Sequence, residues 1–209
     1  MSSTPTSEQF LNAFFEAYKR SRDIFTMETW QEVWTKKWNE FILWKNGKPP
    51  EPLDKSVLHQ TAGKLNLEYW EGEPLKLDSA FYARESAPVG NLPFPILVAL
   101  EHENDHRGFN HEIAKLLSIR CPLKVGITYT LLWGATNTAE GRQSTLDLIR
   151  QEVCESSARI SQVISEDPKT QYLFLVGCEE SPLSLGWYAL HFSGGQSPTG
   201  TEFRLVQGA

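Results

Sequence analysis

The chain has 209 residues, 40% of them hydrophobic and 22% charged, with a formal charge of −6 at pH 7. That balance predicts one compact domain with an extension, and no apolar run approaches the roughly 20 residues a membrane span needs. The acidic excess excludes a surface that wraps nucleic acid all round, because phosphate binding is driven by Lys and Arg, although a local basic face stays compatible with it.

The opening MSSTPTSEQF carries neither a basic start nor an apolar stretch, so no secretory or transit segment is expected, and the expected setting is the cytoplasm. Residues 7–22 then read as a helix, with Phe10, Phe14, Ala17 and Tyr18 on one side. A second helix is expected over 27–45, where Trp30, Trp34, Trp38 and Phe41 recur at helical spacing behind Thr26, Glu28 and Thr29 as capping residues. The tryptophan stripe is read as a face buried against the domain or against a second copy, which would give a homodimer through these helices. NGKPPEP (46–52) stops the helix, since glycine and three prolines cannot continue it, and marks the best internal boundary. Residues 1–46 are therefore an N-terminal helical extension, and 47–209 the main domain.

Asp54 is positioned to cap a short helix through Lys64, LNLEYW (65–70) alternates as a strand, EGEP turns, and LKLDSAFYA (75–83) alternates again, which suggests a hairpin. FPILVALEHE (94–103) is a buried strand whose apolar start gives way to acids. GFNHEIAKLLSI follows as a helix burying Ile113, Leu116 and Leu117, and PLKVGITYTLLW (122–133) is the next strand. A helix from about Gly141 to Ser165, the strands QYLFLVGC and GWYALHF, and a polar turn region leading to a short edge strand complete the order. Early hairpin strands followed by alternating helix and strand predict an α/β fold with a mixed central sheet flanked by helices. Cys121, Cys154 and Cys178 lie far apart, form no CxxC pair, and are read as reduced thiols.

Strand alternation puts Glu101 and Glu103 on one face, about 7 Å apart, with His102 pointing away. Carboxylates placed together beside an apolar strand need an offsetting charge, and a bound cation supplies one. Asp78 comes from an earlier strand, and if the two strands are neighbours with their acids in register the three carboxylates meet. Oxygen ligands of this kind suit magnesium or manganese.

LKLD (75–78) followed by ILVALEHE (96–103) resembles the metal-binding strands of the PD-(D/E)xK nuclease superfamily, over about residues 54–130. The resemblance implies a restriction-endonuclease-like core in which Asp78 takes the place of the motif aspartate, Glu101 that of the first acid and Glu103 that of the lysine. It also implies the main-chain carbonyl of His102 as a further metal ligand, and Lys115 as the polar residue that the following helix turns toward the site. Leu77 stands where the motif has proline, and Glu103 makes an ExE variant in which the glutamate acts as base or holds a second ion. The implied activity is Mg2+- or Mn2+-dependent phosphodiester hydrolysis on nucleic acid, with DNA favoured as partner. A catalytically inactive binding module of the same fold is the alternative.

The same stretch spells His102-Glu103-Asn104-Asp105-His106, an HExxH pattern that on a helix would place two imidazoles on one face for zinc, as in metalloproteases. Its context argues against that reading. The pattern starts at a strand end, contains two poor helix formers, and meets Gly108 soon after. No GxSxG elbow, cysteine-histidine signature or glycine-rich phosphate loop occurs.

Overall fold

A computed structural model describes residues 4–43, 49–70, 76–85, 88–89, 92–93, 95–104, 106–130, 138–162, 165, 167–194, 196, 198 and 200–207. Among them, seven strands form one mixed sheet in the order β1 (Leu67–Trp70), β2 (Ser79–Ala83), β5 (Ile96–Glu103), β6 (Leu123–Tyr129), β7 (Gln171–Ser181), β8 (Ser184–Ser193) and β9 (Arg204–Gln207), accompanied by six α-helices. The α/β class expected from the sequence is therefore observed. The chain divides into two compact units, Met1–Val98 and Ala99–Ala209, with the boundary inside strand β5.

The first unit opens with α1 (Ser7–Arg22), as expected. Thr6 caps it by accepting from Gln9 N while the Gln9 side chain accepts from Thr6 N, a reciprocal capping box. The expected single helix over 27–45 is instead two, α2 (Met27–Lys36) and α3 (Trp38–Ile42). Lys37, at φ −128° and ψ 24°, breaks the run, yet Trp30, Trp34, Trp38 and Phe41 all remain buried. The reason is packing within the chain. Trp30 closes edge-to-face on Phe41 with centroids 5.2 Å apart, and Trp34 does the same on Trp38 at 5.3 Å.

Helix α4 (Val57–Lys64) is capped by Ser56, which accepts from His59 N, and not by Asp54 as expected. Asn66 ends it in the left-handed region at φ 57°, its N–H donating to Gly63 O, so strand β1 starts at Leu67 and not at Leu65. The strand expected over 75–83 is β2 (Ser79–Ala83), shortened because Lys76 also lies at positive φ, 66°. The hairpin itself is present. β1 (Leu67–Trp70) pairs antiparallel with β2, Leu67 opposite Ala83 and Trp70 opposite Ala80. A two-residue pair, β3 (Pro88–Val89) with β4 (Leu92–Pro93), lies apart from the main sheet.

Strand β5 (Ile96–Glu103) is buried along all but its last residue. Beyond it, in the second unit, a 3-10 turn (His106–Gly108) leads into α5 (Phe109–Ser118), whose Phe109, Ile113, Leu116 and Leu117 form the buried stripe at helical spacing. Strand β6 (Leu123–Tyr129) is wholly buried and pairs in parallel with β7 (Gln171–Ser181), and α6 (Ala139–Ser161) lies between them in sequence. The end of the strand expected over 122–133 falls outside the described residues. β8 (Ser184–Ser193) returns antiparallel to β7, and the expected short edge strand is β9 (Arg204–Gln207).

Gly126 of β6 permits a close approach in this unit. A Cβ there would lie 2.7 Å from both Phe109 Cζ and Phe174 Cδ1. Those rings meet edge-to-face, and the missing methyl is what lets α5 and the sheet close on each other. Lys124 is also fully buried on β6, with Nζ donating to Tyr172 Oη at 3.1 Å and Leu117 O at 3.3 Å.

Candidate metal centre

Glu101 sits one step beyond the apolar run Ile96–Leu100, and its side chain has no solvent exposure. A carboxylate in that position must be offset by positive charge, since burying it unpaired costs several kcal/mol at least. Lys115 of α5 supplies one offset, its Nζ lying 2.9 Å from Glu101 Oε1. The same ammonium contacts Glu112 Oε2, three residues back on the helix. Burial acts to lower the Lys115 pKa, but hydrogen bonds to Glu112 and Glu101 and the charges of both outweigh it and hold the pKa above its ordinary value. Both carboxylates are thus tied to a group that stays protonated.

Among the described residues of the second unit, Glu101 and Glu112 each offer one carboxylate oxygen, and these oxygens lie within 4.8 Å of each other. The sequence singled out Asp78 and Glu101. It missed Glu112, although Glu112 and Lys115 at i and i+3 on a helix with a clear apolar stripe could have been read as one polar patch on the rim of that stripe. Asp78 sits in a bend directly before β2 and not on a regular strand, so the regular strand register expected for it does not apply.

Glu103 is not in the group. Its carboxylate lies against Gly108, where a Cβ would be 3.3 Å from Glu103 Oε2. Gly108 is the N-cap of α5, and an anion at a helix start is favoured by the unsatisfied N–H groups and the helix dipole. Glu68 is half-exposed on β1 and pairs with Arg84 at 3.2 Å.

His102 faces a different environment from Glu101. It is 7% exposed, and its Nε2 is hydrogen-bonded to Tyr129 Oη at 3.0 Å, with the two rings edge-to-face. His106 belongs to the 3-10 turn and His102 to β5, so the HExxH residues do not share the helix that a paired-imidazole zinc site requires. Asp105 lies outside the described residues.

Oxygen donors alone, one of them fully buried, fit a hard divalent cation better than zinc or copper, which favour nitrogen and sulfur. An ion with ligands at roughly 2.0–2.6 Å spans opposite oxygens about 4 to 5 Å apart, the scale of the observed group. Comparison with family models, with curated proteins and with solved structures returned no match. Among the described residues no helix is long and apolar enough to cross a membrane.

Proposed function

We propose that the chain is a metal-dependent phosphodiester hydrolase of the PD-(D/E)xK kind, acting on nucleic acid, with DNA the first substrate to test. The observation that carries this reading is the buried Glu101 carboxylate with a Glu112 oxygen within 4.8 Å and both acids on the Lys115 ammonium. Glu101 and Glu112 would hold Mg2+ or Mn2+, the resemblance adds Asp78, and the main-chain carbonyl of His102 is a further candidate ligand. When bound, such an ion lowers the pKa of a water and offsets charge growing on the phosphate. Lys115, at 2.9 Å from Glu101, takes the place of the lysine that Glu103 displaces from the strand motif. Its ammonium positions the acids and is available to a phosphate oxygen. Glu103, whose carboxylate lies against Gly108 at the start of α5, is the candidate base. Cys121, Cys154 and Cys178, all present as thiols, fit a reducing, cytoplasmic setting.

A second reading, a metal-binding module without turnover, is favoured by the same Glu103, which lacks the lysine's positive charge. Incubating supercoiled plasmid and single-stranded RNA with the protein and Mg2+ or Mn2+ separates the two. The nuclease reading expects nicking or cutting that chelator stops, and a loss of at least about a hundredfold in Glu101→Gln and Asp78→Asn. Metal bound by the protein with both substrates left intact would favour the module. Full activity in Glu101→Gln would overturn the site.

A further inference from the structure

Lys115 stands where a metal reading leaves little room for it. Its ammonium is 2.9 Å from Glu101 Oε1 and also touches Glu112 Oε2, so it already occupies the space between two of the carboxylates assigned to the ion. A divalent cation bonds carboxylate oxygens at roughly 2.0–2.6 Å, and a second positive charge on the same oxygens would meet it at close range with little solvent between. The side chain is 37% exposed, against none for Glu101, so the lysine has a route outward that the glutamate lacks.

We propose that Lys115 is the resident counter-ion of this site, and that a divalent cation binds by displacing its ammonium from Glu101 and Glu112 toward solvent. The inference rests on the metal-site reading above and adds a regulatory device to it. Without metal, the buried carboxylate is neutralised and the chain stays folded around it. With metal, the same lysine is released at the mouth of the site as a donor for an anionic oxygen, such as that of a phosphodiester. One side chain therefore links metal loading to readiness for an anionic substrate. It also sets metal affinity below what the carboxylates alone would give, because every binding event breaks an ion pair.

Mn2+ titrations of the whole chain, followed by calorimetry and by the electron-spin signal of free Mn2+, test this with Lys115→Met and Lys115→Gln beside the unaltered protein. Both variants should bind Mn2+ about three- to tenfold more tightly, the ion pair no longer opposing the metal. Equal or weaker binding in the variants, with Mn2+ still bound by the unaltered protein, overturns the counter-ion role and leaves the metal site standing. Absence of Mn2+ binding in all three proteins overturns both. Amine acetylation of the unaltered protein, read by peptide mass spectrometry, gives a result that does not depend on the variants folding. Adding Mg2+ should raise labelling at Lys115 several-fold while the exposed Lys169 is unchanged, and labelling at Lys115 that stays constant or falls contradicts release.

Discussion

Glu101 and its neighbours set the behaviour of the site one residue at a time. Replacing Glu101 by Gln keeps the shape and removes the charge, so Mn2+ affinity should drop by at least about tenfold in a calorimetric titration, while Glu103→Gln changes it by less than about threefold. A larger effect at Glu103 than at Glu101 would mean that the ion sits at the start of α5. Glu101 was legible in ILVALEHE because an acid set directly after a buried apolar run demands a counter-charge, whatever the rest of the fold does. Glu112 was not legible for a different reason. Which helix residue faces a strand end depends on how α5 seats on the sheet, and that rotation is fixed by Phe109 and Gly126 packing, not by anything local to Glu112. His102 faces away from the acids as period-two alternation requires, but its partner Tyr129 lies too far along the chain to be found by pattern.

At the level of elements, the seat of α5 on the sheet is the contact that positions Glu112 and Lys115. Gly126→Ala would drive a methyl to 2.7 Å from two rings, so it should destabilise the protein by about 1–3 kcal/mol, read as a lower urea midpoint at unchanged slope. If the helix shifts to relieve the overlap, Mn2+ affinity falls as well, which ties packing to site geometry. Thr6→Ala removes one member of the α1 capping box and should cost about 1 kcal/mol, with no effect on metal binding. Elements with strong periodicity were legible, including α1, β5, α5 and β7. The break at Lys37 was not, because the aromatic spacing runs on through it and neither glycine nor proline marks it. Asn66 and Lys76 shortened β1 and β2 by adopting left-handed conformations, which Asn accepts readily and Lys rarely does, so only the first left a signal in the sequence.

For the molecule as a whole, ionisation at high pH gives a test of the core. Burial pushes the Cys121 and Cys178 thiols up to about 12, only partly opposed by the hydrogen bonds to the Leu123 backbone and the Thr130 side chain respectively. Unfolded thiols ionise near 9.0, so between about 9 and 12 the unfolded chain releases protons that the folded one keeps. Stability is therefore complete below about pH 9 and falls as pH rises toward 12. Lys115 acts in the same direction, since its raised pKa adds stability that is present below about 10.5 and lost above it. Urea midpoints measured from about pH 7 to 11 should hold level and then decline, and both thiols should resist iodoacetamide at about pH 8 until the chain is unfolded. Rapid alkylation of Cys121 in the folded protein would contradict its burial.

A crystal soaked in Mn2+ puts the oxygen-ligated cation site to the test. Data collected at the manganese absorption edge should place one anomalous peak about 2.1–2.3 Å from carboxylate oxygens of Glu101 and Glu112, with Lys115 turned away. A map with no peak there, or with its peak on the histidines His102 and His106, would overturn that site.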